Sequence, residues 1–135
     1  MKSLKGKTAL IVEDDEVCMF KVCEFLKKSG IENIIQAHGG KEALTAFHKD
    51  LGHIDFIVMD CGLPDMNGVE TTRHIRELER NKGVGSVTPI IALTGDQHNK
   101  IARDCFLAGM NHFIPKPVTT RNLEMIINQV EESGN

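Results

Sequence analysis

Five short, almost wholly apolar runs recur along the chain, and a longer segment with helical spacing of its apolar residues follows each of them. Continuous apolar runs of about four to eight residues are typical of strands buried on both faces. The runs are Thr8–Val12, Ile34-Ile35, Ile54–Met59, Pro89–Leu93 and His112–Ile114. Strands that alternate with helices in this way predict an α/β, doubly wound fold, with a parallel sheet and helices on both of its faces.

The segments between the runs predict five amphipathic helices, the fourth of them over Asp96–Ala108. The residues expected to face the core are Cys18, Val22, Phe25 and Leu26; Ala43, Leu44, Phe47 and Leu51; Val69, Thr72, Ile75 and Leu78; Ile101, Cys105 and Ala108; and Leu123, Ile126, Ile127 and Val130. Ser29-Gly30 should end the first helix, and Thr119 or Thr120 should cap the last. In the third helix, four charged residues are predicted to face solvent: Arg73, Arg76, Glu77 and Glu79.

The length and composition suit one globular domain. A chain of 135 residues, 41% of them hydrophobic, can bury its own core, and we predict one domain over 1–135 with its core at about 7–132. The net charge of −3 and the lack of a basic stripe argue against direct nucleic-acid binding. No apolar run approaches the ~20 residues of a membrane span, and no signal-peptide pattern is present, which predicts a cytoplasmic domain without membrane contact.

The four cysteines are scattered along the chain, at Cys18, Cys23, Cys61 and Cys105. None has CxxC spacing, which disfavours disulfides in a cytosolic chain and disfavours a tetrahedral zinc site. We therefore predict that Cys18 and Cys105 are small buried side chains. Cys61 stands beside an acidic residue, so its exposure has to be established by the structure.

Acidic residues follow two of the predicted strands directly: Glu13 and Asp14 come after the first, and Asp60 ends the third. The carboxyl ends of parallel strands meet at one edge of the sheet, where α/β folds place their sites. Clustered carboxylates repel one another unless they share protons or hold a cation, and their hard oxygens suit Mg²⁺. Thr94 and Lys116 reach the same edge and suit phosphoryl oxygens. The pattern therefore predicts phosphoryl-transfer chemistry in which a carboxylate acts as the nucleophile.

The ordered set of these residues resembles the receiver domains of two-component signalling, the phosphoacceptor modules of response regulators and hybrid histidine kinases. Each element alone is a weak signal, but their order along nearly the whole chain is specific. The matching elements are Leu10–Asp15, Asp60, Leu63-Pro64, Asn67-Gly68, Thr94 and Lys116–Val118. The stretches 68–76, 88–94 and 108–113 resemble receivers that are attached to hybrid kinases.

This resemblance implies a fold and a metal site. The fold is a flavodoxin-like (βα)5 sandwich whose parallel sheet has the strand order 2-1-3-4-5. The metal is Mg²⁺, with Asp14 and Asp60 as direct ligands and with Glu13 holding a metal-bound water. The backbone carbonyl of Gly62 supplies a further contact.

The resemblance also implies roles in phosphoryl transfer and switching. Asp60 is the phosphoacceptor, Thr94 bonds a phosphoryl oxygen and Lys116 pairs with the phosphoryl group. Phe113 matches the switch aromatic, which acts together with Thr94. The Lys116–Pro117 peptide bond is expected to be cis.

The implied function is a Mg²⁺-dependent phosphoacceptor switch rather than an enzyme, with catalysis limited to its own phosphorylation and dephosphorylation. The phosphoryl donor is a sensor histidine kinase or a histidine phosphotransfer protein, and a phosphorylation-linked homodimer is compatible with the resemblance. The chain is either a stand-alone regulator or a receiver cut from a longer protein. The sequence does not identify the donor kinase, the stimulus or the output.

Three positions depart from the family pattern, and two other functions stay open. Gly62 replaces a larger side chain, Asp96 adds charge near the site, and Phe113 replaces the commoner tyrosine, so the phosphoryl lifetime stays open. One alternative function is a true phosphatase or phosphotransferase, although Gly62 stands where the second acid of a DxD motif belongs. The other is a degenerate receiver that only binds partners, which the intact set of site residues disfavours.

Overall fold

The computed structural model describes residues 4–62, 66–83, 87–95 and 99–133, with side chains described throughout except at 99–102 and 131–133. Five strands alternate with five helices along these ranges. In chain order they are β1 (Thr8–Val12), α1 (Glu16–Lys28), β2 (Asn33–Ala37), α2 (Gly40–Lys49), β3 (Phe56–Asp60), α3 (Gly68–Asn81), β4 (Ile90–Thr94), α4 (Asn99–Ala108), β5 (His112–Pro115) and α5 (Thr120–Ser133). The predicted alternation is confirmed. None of the helices in these ranges combines the length and apolarity that a membrane span requires.

All five strands form one parallel sheet, in the order β2-β1-β3-β4-β5. This order, which the family resemblance implied, is confirmed. The register places Val12 beside Met59, Asp60 beside Leu93 and Thr94 beside Pro115. The carboxyl ends of β1, β3, β4 and β5 therefore lie next to one another at a single edge.

The sheet is buried on both faces, because alternate strand residues pack into two apolar layers. On β1, Ala9 and Ile11 face the layer shared with α1 and α5, here called the α1/α5 layer. Leu10 and Val12 face the opposite layer beneath α2, α3 and α4, here called the α2/α3/α4 layer. All four side chains are buried, which explains why the run is continuously apolar. Leu4, which precedes the predicted start of the core, is also buried.

Polar side chains cap three of the helices. Asp15 accepts a hydrogen bond from the Val17 amide at the start of α1, and Asn67 accepts one from the Glu70 amide at the start of α3. The hydroxyl of Thr119 accepts from the amide of residue 122, so Thr119 rather than Thr120 caps α5.

Three predicted element boundaries differ from the structure. The fourth strand begins at Ile90, one residue after Pro89. The third strand begins at Phe56 rather than Ile54, because the Thr8 amide on β1 donates to the Asp55 carboxylate instead of to a backbone carbonyl of that segment. Leu51 lies beyond the end of α2, so it packs from the following turn rather than from the helix. The predicted start of the fourth helix at 96–98 and the side chain of Ile101 lie outside the described residues.

The outward placement of two charged residues on α3 was also wrong. The side chains of Arg76 and Glu79 are only 11% and 6% exposed and form an ion pair at 2.8 Å. Arg76 also donates two hydrogen bonds to the Gly109 carbonyl, and Glu79 accepts one from the Thr88 amide. Glu79 has the helical spacing of the buried face, and its charge alone suggested that it faces solvent. The Gly109 carbonyl that Arg76 binds is 33 residues away, so spacing along the helix could not indicate that contact. The other two charged residues that were expected to face solvent are exposed.

Candidate functional site

Three carboxylates converge at the carboxyl-terminal edge of the sheet. Glu13 follows β1 directly, and Asp60 is the last residue of the neighbouring strand β3. Together with Asp14 they each offer an oxygen, and these three oxygens lie within 4.8 Å of one another. Glu13 and Asp60 are buried whereas Asp14 is exposed, so the cluster opens to solvent on one side. The acids that the sequence predicted to gather do lie together.

Glu13 is an acid with no exposed surface, and bonds from its backbone and its carboxylate hold it in place. Its backbone amide donates to the Ala37 carbonyl on β2, and its Oε2 accepts from the Asp15 amide at 3.1 Å. Its Oε1 lies 2.8 Å from the Lys116 ammonium, an ion pair. Both oxygens of this buried carboxylate therefore have a partner, the Asp15 amide for one and the Lys116 ammonium for the other.

Lys116 is the cation that faces both buried acids. Its Nζ lies 2.8 Å from Glu13 Oε1 and 3.4 Å from Asp60 Oδ2. Its backbone amide donates to the Thr94 carbonyl at the end of β4, and the Lys116–Pro117 peptide bond is cis, as predicted. Burial opposes the charge of Lys116, but the close contact with Glu13 and the charges of Asp60 and Glu13 outweigh it and raise the pKa of the ammonium. Lys116 therefore stays charged at neutral pH.

The surroundings of Asp60 affect the pKa of its carboxyl group in opposite directions. Burial, followed by the close approach of the Glu13 carboxyl, raises the pKa of Asp60 above its usual value. The Gly62 amide, which donates to Asp60 Oδ1 at 3.1 Å, and the charge of Lys116 act in the opposite direction. An acid whose pKa is raised on folding loses stability as the pH rises through that pKa. Ionised Asp60 is therefore an energetic cost that an added cation would relieve.

Two glycines determine how the chain leaves Asp60. A Cβ on Gly68 would lie 2.6 Å from the Asp60 carbonyl oxygen and 2.9 Å from Cys61 Cα, so the start of α3 packs directly on the backbone of Asp60 and Cys61. The Gly68 amide donates to the Cys61 carbonyl and closes this turn. Gly62 is different, because among the residues that the structure describes a Cβ there would meet Asp60 Oδ1 alone, at 4.0 Å. Asp60 is therefore not covered by a side chain from position 62.

Thr94 and Phe113 lie on the neighbouring strands β4 and β5. Thr94 is the last residue of β4, at the same edge as Asp60, and is partly exposed. Phe113 lies on β5 beside Ala92 and packs half-buried against the α2/α3/α4 layer, so it is partly a core residue. Asp96 and the turn residues Leu63-Pro64 lie outside the described residues.

The sequence analysis missed a pair of thiols at this edge. Cys61, the residue after Asp60, has its Sγ 2.9 Å from the Sγ of Cys105 on α4. Cys105 is fully buried and Cys61 is partly exposed, while all four cysteines are free. Burial is the main cause that raises the pKa of both thiols. The two positions are 44 apart in sequence, so no local spacing could have indicated the contact.

Comparisons with known proteins identify the family of the chain. The family model of the response regulator receiver domain matches residues 9–128. Histidine kinase CKI1 of Arabidopsis thaliana is 36% identical over 95% of the chain, and hybrid signal transduction histidine kinase B of Dictyostelium discoideum is 37% identical over 90%. The chain spans only 12% and 6% of the length of these two relatives.

Solved receiver structures have the same fold. The receiver domain of CKI1 from Arabidopsis thaliana, complexed with Mg²⁺ and BeF3⁻, has a TM-score of 0.84 and is 34% identical, covering 96% of this chain and 92% of that one. The receiver domain of sensor histidine kinase PA1611 from Pseudomonas aeruginosa PAO1, with a magnesium ion in its active site cleft, has a TM-score of 0.79 and is 31% identical, covering 92% and 96%. With the family model matching most of its residues, the chain belongs to the response regulator receiver family, the receiver domains of two-component phosphorelay signalling.

Proposed function

We propose that Asp60 of this chain is phosphorylated, in a Mg²⁺-dependent reaction, by a phosphohistidine donor. The observation that carries the proposal is a cluster of three carboxylates, two of them in contact with one lysine, at the edge where the parallel strands end. In the reaction, a carboxylate oxygen of Asp60 attacks the phosphorus and the bond from phosphorus to the imidazole nitrogen breaks. The products are an acyl phosphate on Asp60 and an imidazole that takes a proton from solvent.

The residues of the acid cluster fit a bound Mg²⁺. Asp14 and Asp60 would bind it through carboxylate oxygens, Gly62 through its carbonyl, and Glu13 through a water. The observation that supports this fit is that one oxygen from each of the three carboxylates lies within 4.8 Å of the others, although two of the three residues are buried. When bound, Mg²⁺ would neutralise charge on the carboxylates and on the incoming phosphoryl oxygens.

The protein's own residues would position and neutralise the transferred group. Lys116 already contacts Asp60 Oδ2. Its ammonium would therefore pair with an oxygen of the phosphoryl group once that group is bound to Asp60. Thr94 would donate its hydroxyl to another phosphoryl oxygen and move toward Asp60. Phe113, which is half-buried, would then turn further inward, and the surface around α4 and β5 would change.

The test is intact mass after incubation of the protein with Mg²⁺ and acetyl phosphate. We expect one phosphoryl group on the parent, no adduct without Mg²⁺, and loss of the adduct on addition of hydroxylamine, which cleaves acyl phosphates. Asp60→Asn is the matched control, because it keeps the size of the side chain and removes the nucleophile; it should carry no adduct. Because position 62 leaves Asp60 open, beryllofluoride binding read by NMR serves as a second measurement in case hydrolysis is fast.

Absence of both the adduct and beryllofluoride binding would contradict the phosphoacceptor role and favour a receiver that only binds partners. Sustained turnover of a small phosphomonoester such as p-nitrophenyl phosphate would favour the phosphatase alternative instead. We expect no such turnover, because Gly62 supplies no second acid to protonate a leaving group.

The donor should dock on α1. Val17 and Phe20 lie on this helix, 64% and 65% exposed, and α1 begins two residues after Asp14 at the open side of the acid cluster. An apolar patch beside the entrance is the kind of surface that holds a partner helix while its histidine reaches Asp60. Phe106 and Leu107 form a second exposed apolar pair, on α4, which is the surface available to the proposed phosphorylation-linked homodimer.

Phe20→Ala is therefore expected to slow phosphoryl transfer from a phosphorylated histidine phosphotransfer domain by roughly tenfold or more, since an interface anchor is worth about 1–2 kcal/mol or more. Phe106→Ala is the matched control, because Phe106 is equally exposed but lies on α4. Both variants should accept phosphate from acetyl phosphate at the parent rate. Slower transfer in Phe106→Ala with normal transfer in Phe20→Ala would place the donor on α4 instead.

A further inference from the structure

The thiols of Cys61 and Cys105 lie closer together than their separation in sequence suggests. Their sulfurs are 2.9 Å apart, whereas a disulfide bond measures roughly 2.05 Å, so oxidation requires an approach of only about 0.9 Å. The contact joins two different parts of the fold. Cys61 continues β3 beyond the phosphoacceptor, and Cys105 lies in the second half of α4.

The packing of the sheet explains why these two side chains meet. Along β3, Ile57 and Met59 face the α2/α3/α4 layer, and Cys61 continues this alternation onto the same side. Cys105 is the fully buried residue with which α4 faces that layer. The backbone around Cys61 is held on both sides, because its amide donates to the Leu93 carbonyl and its carbonyl accepts from the Gly68 amide. The thiol of Cys61 is therefore presented to α4 from a well-defined position.

We propose that Cys61 and Cys105 form a reversible disulfide that tethers α4 to the residue next to Asp60. Cys61 is the attacking thiol, because it is partly exposed, and Cys105 is the resolving thiol, because it is fully buried. The oxidant is a low-molecular-weight disulfide of the glutathione class. The Cys61 sulfur attacks one of its sulfurs and releases the first small thiol; the Cys105 sulfur then attacks the mixed disulfide and releases the second.

The atoms and electrons balance in this exchange. Two protein S–H bonds and one S–S bond of the oxidant are lost, and one protein S–S bond and two S–H bonds of the released thiols are formed. The two cysteines supply two electrons, which reduce the oxidant. Because burial keeps both thiols protonated, the exchange is expected to be slow and to need incubation over hours.

The tether has a consequence for switching, and this part rests on the function proposed above. Thr94 lies at the end of β4, and α4 is the next helix along the chain. A movement of α4 relative to Asp60 is therefore the change that a bond between Cys61 and Cys105 would restrict. Oxidation is expected to disfavour the phosphorylated conformation without removing Asp60, Lys116 or the acid pair.

The test is intact mass and peptide mapping of the folded protein after incubation with oxidised glutathione and removal of the reagent. We expect the parent to lose the mass of two hydrogens, with the bond mapped to Cys61 and Cys105, and to regain it on reduction. Cys18→Ala/Cys23→Ala, which keeps only the proposed pair, should behave as the parent. Cys61→Ala and Cys105→Ala should show no such loss. A stable glutathione adduct on Cys61, or a bond that maps to Cys18 or Cys23, would overturn the proposal.

A second measurement separates the disulfide from its effect on switching. NMR shifts of α4 amides on addition of Mg²⁺ and beryllofluoride should be present in the reduced protein, lost in the oxidised protein and restored by reduction. If the oxidised protein showed the same shifts on addition of Mg²⁺ and beryllofluoride as the reduced protein, the proposed effect on switching would be wrong. If the reduced protein showed no shifts at all, the proposed phosphoacceptor function would fail, whereas the disulfide itself would still be decided by mass.

Discussion

Replacing Lys116 by methionine is expected to lower the free energy of unfolding of the metal-free protein by about 2–4 kcal/mol. Methionine keeps most of the apolar stem of the side chain but leaves Glu13, which has no exposed surface, beside Asp60 without the cation that both acids now contact. This loss of stability should be smaller than the loss on breaking a wholly buried ion pair, because the Lys116 side chain is 23% exposed. Urea unfolding in the presence of a chelator measures it.

Two conditions should reduce this loss. Added Mg²⁺ should restore part of the stability, because a cation that binds only the folded acid cluster stabilises it by mass action. Lowering the pH from about 7 toward about 4 should also reduce the difference in free energy of unfolding between Lys116→Met and the parent. Burial already raises the pKa of Asp60, so Asp60 takes up a proton and no longer repels Glu13.

Lys7→Met is the matched control for Lys116→Met. Lys7 pairs with Asp55 at 4.0 Å on the surface, with both side chains 40% exposed or more, so its removal should cost less than about 1 kcal/mol and should not depend on Mg²⁺. If Lys116→Met were as stable as the parent at neutral pH in the absence of metal, the acids would have to be neutralised by protonation rather than by Lys116.

Glu79→Ala is expected to lower the free energy of unfolding by about 3–5 kcal/mol, the largest loss predicted for a residue outside the site. The substitution leaves the Arg76 guanidinium, 11% exposed, without its ion-pair partner and removes the acceptor of the Thr88 amide. Because Arg76 also donates to the carbonyl of Gly109, its displacement would loosen the turn between α4 and β5. Chemical denaturation of the variant beside the parent measures the effect.

Glu77→Ala is the matched control on the same helix. Glu77 lies two residues from Glu79 but is exposed, so its removal should change the stability by no more than about 0.5 kcal/mol. Equal losses in the two variants would mean that the effect comes from helix propensity or from net charge. In that case the buried network of Arg76 would not be a major source of stability.

Much of the fold could be predicted because parallel sheets leave a strong local signal. A strand buried on both faces must be apolar at successive positions, as in Ala9–Val12, and this pattern can be recognised without any knowledge of neighbouring segments. The acids at the strand ends could be assigned to one edge for the same reason, since parallel strands all end on the same side. The strand order, in contrast, came from the family resemblance and was then confirmed.

The errors arose where a residue's environment depends on distant segments. Glu79 has the helical spacing of the buried face of α3, four residues after Ile75, and was expected to face solvent only because it is charged. Its carboxylate is buried because the Arg76 guanidinium and the Thr88 amide before β4 supply partners for it. The strand assignment of Ile54 was wrong because the Thr8 amide of β1 donates to the Asp55 carboxylate rather than to a backbone carbonyl. Both outcomes depend on which segments become neighbours, and local apolar periodicity carries no information about that.

The sequence by itself determined the class of fold, the edge at which the polar residues gather and the type of chemistry that their oxygens and ammonium suit. These properties follow from the order and kind of residues along single strands. Only the tertiary structure decided that Lys116 contacts both Glu13 and Asp60, and that Cys61 meets Cys105. Such contacts require side chains on separate elements to approach within a few ångströms, and the packing of helices on the twisted sheet decides which of them do.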